Sequence, residues 1–223
     1  GGNVLDSTTT SIGVIEAVRV TASVAPQITF QISGVASSTS ACGVNTDVTT
    51  TAAAVPLGEL SISAFTNAAQ SLAVSTNATN GYTVTVRAND QMGRDGGTCA
   101  GDNTGADCIP DTTGNGANIT HTGSGRWDST TYKGFGFSLD DVNTSGLTPV
   151  FEYDTTSGNC SGGTYCARQF ADTEDSQAAQ QIFSSTSVAD DHNLYVCYRA
   201  IISATQSAGD YENHLIYTAT ATF

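Results

Sequence analysis

One apolar/polar alternation in this chain runs longer than a single strand of a compact domain can use. From Ile12 the even positions read Ile12, Val14, Glu16, Val18, Val20, Ala22, Val24, Pro26, Ile28, Phe30 and Ile32. The odd positions include Gly13, Arg19, Thr21, Ser23, Gln27, Thr29, Gln31 and Ser33. A period of two marks a strand with one buried face. At ~3.3 Å per residue the run would span about 70 Å, against roughly 17–20 Å for an ordinary strand. One domain cannot bury that whole face, so the economical reading is two strands in series. The later one, about residues 21–33, belongs to the chain's own fold. The earlier one, about residues 9–20, carries Ile12, Val14, Val18 and Val20 outside it and needs another molecule's groove. Addition of a strand to an open sheet edge supplies such a groove.

The rest of the chain is read as all-β. Its 223 residues suffice for one large domain with long loops. Leu is scarce, while Thr, Ser, Ala, Gly and Val dominate; Thr and Val suit pleated, half-buried surfaces. Alternation predicts short strands at Leu60–Ala64, around Leu72–Thr76, at Tyr82–Ala88 and at Phe135–Leu139, and a weaker one at Val150–Glu152. Leu194–Ile202 is apolar on both faces through Tyr195, Cys197 and Ile201, which places it centrally. A last strand follows Ser207, through Tyr211, Leu215, Tyr217 and Ala219 to Phe223. Asn80-Gly81 predicts a tight hairpin over Ser71–Ala88. The best helical candidate is Asp172–Phe183. Residues 89–130 are crowded with Gly, Asp, Asn and Thr and read as an elaborated loop insertion.

Charge and cysteines narrow the class. The net charge is −14, with seven basic residues and a single lysine, Lys133. That balance argues against nucleic acid or an anionic membrane surface as partner. No run of eighteen apolar residues exists, so no membrane-spanning helix is expected, nor the long apolar helix of a type IV pilin. The start at Gly1-Gly2-Asn3 resembles a mature end after removal of a signal peptide. Cys99/Cys108 and Cys160/Cys166 are close pairs in Gly/Asp/Ser-rich stretches, each able to staple a loop. Cys42 and Cys197 then remain for a long-range bridge, with other connectivities open. No CxxC spacing or His cluster favours a metal centre. Disulfides imply an oxidising, extracellular setting.

Three further signals are weaker. Asp90, Asp95, Asp102, Asp107 and Asp111 lie in loops that can offer oxygen ligands to calcium, with Asp102, Asp107 and Asp111 the better set, but without EF-hand spacing. Asn77, Asn118 and Asn143 open glycosylation sequons; Asn159 is a poor one, beside Cys160. Trp127 near Tyr132 suggests a sugar-stacking platform, against the plainer reading of a packing anchor under a loop. His121, His192 and His214 belong to no GxSxG or HExxH pattern, so no enzyme is expected. Lys133 alone offers little for an isopeptide bond.

Some segments carry a family resemblance. Val18-Arg19-Val20-Thr21-Ala22-Ser23-Val24-Ala25-Pro26, followed by Ser40-Ala41-Cys42-Gly43, resembles the first strand and disulfide region of spore coat protein U and chaperone–usher pilin domains. Ala208-Gly209-Asp210-Tyr211, continuing to Leu215, Tyr217 and Thr218, is similar to their closing strand. Asn80-Gly81-Tyr82 looks like a turn of secreted donor-strand fibre subunits, including archaeal bundling pili and bacterial biofilm-fibre proteins. The resemblance covers the two ends and one turn; the longer, loop-rich middle departs from it. It implies an Ig-like or jelly-roll-type β-sandwich with disulfide-stapled loops (residues 21–223) and an N-terminal donor strand (residues 1–20). It also implies a head-to-tail homopolymer at the cell surface, active in adhesion or biofilm. The alternative from another class is a monomeric adhesin or carbohydrate-binding module whose partners are surface glycans.

Overall fold

The computed structural model describes residues 1–3, 8, 10–14, 16–97, 99, 105–143 and 146–223. It is all-β; among these residues the only helical turn is a single 3₁₀ turn at Gly158–Cys160. Eight strands build two antiparallel sheets. They are β1 (Ile28–Gly34), β2 (Thr66–Thr76), β3 (Tyr82–Ala88), β4 (Gly134–Asp141), β5 (Thr148–Pro149), β6 (Gln180–Ser185), β7 (Ala189–Ile201) and β8 (Leu215–Ala221). Sheet I has the order β1-β2-β7-β4, and sheet II the order β5-β6-β3-β8.

The two sheets share one core, in a sandwich-like arrangement. Leu72 and Val74 of β2, Phe137 and Leu139 of β4, and Val196 and Tyr198 of β7 belong to it from sheet I. Val84 and Val86 of β3 and Ile182 and Phe183 of β6 belong to it from sheet II. Period-two alternation puts these on one face of each strand, except at the consecutive Ile182 and Phe183, where a bulge in the pairing of β6 with β3 breaks the alternation and both side chains are buried. Strand β7 lies between β2 and β4, and its second face is also covered. There Cys197 and Ile201 join Val35, Cys42, Trp127 and Tyr165 in a second buried cluster under the loops. That is why its sequence is apolar on both faces.

Several expected elements fold differently. β2 and β3 do not form a hairpin: they lie in different sheets, and the 77–81 connection is a corner between them. A type I′ turn needs positive φ at both central residues, yet only Gly81 has it, at +77°. A Cβ at Gly81 would sit 1.9 Å from the Ser185 carbonyl oxygen, so close packing on β6 also demands glycine. Leu60–Ala64 is not a strand, and Ile62 is exposed. The Asp172–Phe183 stretch is not a helix; its end enters β6. The weak strand near Val150 is two residues, Thr148–Pro149. The last alternation is interrupted: Tyr211–Glu212 pairs with Met92–Arg94, and β8 begins at Leu215. Among its described residues the 89–130 region carries three short strands, Met92–Arg94, Cys108–Ile109 and Gly125–Arg126.

Three disulfides join Cys42 to Cys197, Cys99 to Cys108 and Cys160 to Cys166. These are the pairs that spacing favoured. Cys42–Cys197 fastens the loop layer to the outer face of β7; the other two close short loops.

Candidate assembly site

The opening strand starts later than its sequence pattern suggests. β1 begins at Ile28, not near residue 21, so residues 21–24 extend the arm and residues 25–27 form its root. Ile12, Val14, Val18, Val20 and Val24 are between 83 % and 89 % exposed. Such a row of bare apolar side chains at period two is an exposed apolar patch on a segment that, among the described residues, belongs to no strand.

The root of this arm is held by Asn77. Its Oδ1 accepts the Gln27 N–H at 2.8 Å, and its Nδ2 donates to the Ala25 carbonyl at 2.8 Å. The side-chain amide thus bonds the groups flanking Pro26, as a peptide of a parallel strand would. Pro26 has no N–H to lose there. Thr76 adds a bond from its hydroxyl to the Gln27 carbonyl at 2.7 Å.

The seam between the sheets is where the core is incomplete. β1 is an edge of sheet I and β8 an edge of sheet II. Phe30, Ile32, Leu215, Tyr217 and Ala219 face the core from these strands but are only partly buried. A cleft of about 1180 Å³ opens here, floored by Ile32, Ile109, Phe135, Tyr198, Leu215 and Tyr217. Its rim is polar and acidic, with Glu59, Asp210 and Glu212.

Register places the cleft. Ile28 pairs with Thr76, and Ala221 pairs with Tyr82, so the 77–81 corner puts Ile28 and Ala221 at one end. Gly34 and Leu215 therefore lie at the other. The cleft takes Ile32 but not Phe30, and Leu215 and Tyr217 but not Ala219. It occupies the end opposite the arm's root.

A hydrogen-bonded tyrosine pair lines its floor. Tyr198 donates to Gln70 Oε1 at 2.6 Å, and its oxygen lies 2.8 Å from the Tyr217 hydroxyl. Since Tyr198 gives its proton to Gln70, Tyr217 donates to Tyr198 and keeps lone pairs for a newcomer. Burial pushes both phenols well above their ordinary pKa, so they stay neutral.

Other residues singled out in the sequence fall elsewhere. Trp127 is completely buried, its Nε1 donating to the Tyr132 carbonyl at 2.9 Å and its ring edge-on to Phe65. It offers no face for a sugar. Asp107 pairs with Arg94 Nε at 2.8 Å, Asp111 makes an isolated parallel backbone β-bridge with Phe135, and Asp102 lies outside the described residues. Among the described residues no three His, Cys, Asp or Glu side chains gather as a metal site. Asn118 is exposed on its loop. Asn143 donates to the Asp191 carbonyl at 2.8 Å. Lys133 Nζ is 2.7 Å from the Thr130 carbonyl. His192 is buried against the Tyr82 hydroxyl at 3.0 Å, and burial lowers its pKa. No described helix is long and apolar enough to cross a membrane.

No protein family, curated protein or solved structure matches the chain.

Proposed function

We propose that this chain is the structural subunit of an extracellular filament, joined head to tail. The arm of one copy enters the β1/β8 cleft of the next and pairs with both edges. One observation carries the reading: an arm with bare apolar side chains leaves one end of the seam, and an open cleft with an apolar floor lies at the other. Unlike surfaces at opposite ends make a heterologous contact, which propagates instead of closing as a dimer.

Magnitudes indicate what holds the joint. Burying one Val or Ile contributes roughly 1.5–3 kcal/mol. Ordering each backbone residue costs about 1–2 kcal/mol, and only every second arm residue is buried. Burial therefore roughly breaks even, and ladder bonds to the free edges of β1 and β8 tip the balance. Arg19, on the opposite parity of the arm, suits the acidic rim. The three disulfides fit an oxidising, extracellular site of assembly. The carbohydrate-binding alternative loses its main support with the burial of Trp127.

A mixing experiment tests the reading. Val18→Asp with Val20→Asp disables the arm, and Leu215→Asp disables the cleft. Each variant alone should stay monomeric in sedimentation, and their mixture should stop at dimers. Filaments from either variant alone would overturn the proposal.

A further inference from the structure

The chain between the outer loops and β2 enters the cleft like a strand without partners. Residues 52–60 line the cleft. Val55, Leu57 and Leu60 pack partly buried against the core, while Ala54, Pro56, Gly58 and Glu59 are exposed. The 55/57 alternation is strand-like. Yet among the described residues no backbone hydrogen bond is made by residues 55–60. Pro56 removes a donor from any ladder.

Among the described residues the segment's backbone is fastened at its ends. Gln70 Nε2 donates to the Thr51 carbonyl at 2.6 Å, and the Ile202 N–H to the Ser61 carbonyl at 3.2 Å. At its entry a Cβ on Gly34 would meet the Thr50 oxygen at 2.1 Å, so the chain passes tightly against the end of β1. It is a strap anchored at both ends and held between them by three side chains.

We propose that this strap is a placeholder, partly covering the cleft floor in the free subunit and displaced by the arm of an incoming copy. The inference rests on the filament reading above. The arm brings what the strap lacks: a longer apolar row and, from residue 10 to 25, no proline to interrupt pairing. The strap shields the cleft as a separate holding partner otherwise would, so assembly needs no such partner. Exchange of strap for arm then sets the rate of growth.

The test labels the leucine methyls of the full-length chain with ¹³C and adds an excess of synthetic peptide of residues 10–26. The peptide caps the cleft and keeps subunits apart. The expected result is a shift of the Leu215 methyls with movement of the Leu57 and Leu60 methyls to random-coil positions. Shifted Leu215 with unmoved Leu57 and Leu60 would overturn the strap inference and leave the filament reading standing. Unmoved Leu215 would remove the filament reading and the strap inference with it. As a second measurement, Val55→Ser with Leu57→Ser should shorten the lag of filament growth roughly tenfold by lowering the exchange barrier. An equal or longer lag would overturn the inference.

Discussion

The two ends of the β1/β8 seam are built from the same strands and differ in almost everything else. At the arm end the strands are locked into a corner. Thr222 donates to the Gly81 carbonyl at 2.9 Å, Asn80 to the Thr222 carbonyl at 3.3 Å, and Tyr82 reaches His192 across the two sheets. At the cleft end, among the described residues, no ladder joins the sheets; the strap and residues 206–214 line an open volume instead. One end carries an arm with a bare apolar row and the other an open cleft. Such polarity is what a growing filament requires, and equal ends would yield closed dimers or nothing.

The comparison can be broken from either side. The largest effect is expected from Cys42→Ser with Cys197→Ser. This bridge fastens the loop layer from which the strap departs and spans 155 residues. Its loss should cost about 5 kcal/mol in chemical denaturation, against about 2 kcal/mol for Cys160→Ser with Cys166→Ser. Similar losses from both would show that the loop layer does not support the cleft end.

Next comes the cleft itself. Leu215→Asp places a carboxylate on an apolar floor without touching the arm end. Filaments, followed by light scattering, should be absent even at roughly a hundred times the concentration at which the parent chain assembles. The melting temperature should change little, because Leu215 is only partly buried.

The arm end should show a pH signature. Burial depresses the His192 pKa from its ordinary 6.5, outweighing Asp141 and Asp190. The unfolded chain then takes up a proton before the folded one does. Stability is full above pH 6.5 and falls as pH drops from there toward the depressed folded value. His192→Gln should flatten that slope, by about 1 kcal/mol or less. An unchanged slope would place the titrating group elsewhere.

The smallest effect is expected at Asn77→Ala. Two exposed hydrogen bonds contribute about 1 kcal/mol or less. Backbone relaxation at residues 25–27 should increase and filament growth should slow, with the core unchanged. Rigid residues 25–27 in that variant would show that Asn77 does not direct the arm.

Much of this was legible in the sequence where burial follows period two. β4, β7 and the phase of β8 could be read because each strand repeats apolar residues on one face. The exposed arm could be read because its alternation outran any strand. The corner at 77–81 could not: Asn80-Gly81 signals a turn, and no local signal says whether the next strand pairs back or crosses to the other sheet. The Asp172–Phe183 stretch has helix-favouring Gln and Ala, but pairing of β6 with β3 overrides that preference. The strap escaped notice because its three apolar residues are spread over a segment broken by Pro56 and Gly58. The Asn77 clamp was hidden behind a sequon, since a side chain that bonds backbone fifty residues away leaves no local pattern.

The most direct test of the central claim is electron microscopy of the full-length chain beside one lacking residues 1–24, at equal concentration. The account predicts filaments from the first and monomers of unchanged melting temperature from the second. Filaments from both would place assembly on another surface, and monomers from both would contradict the filament outright.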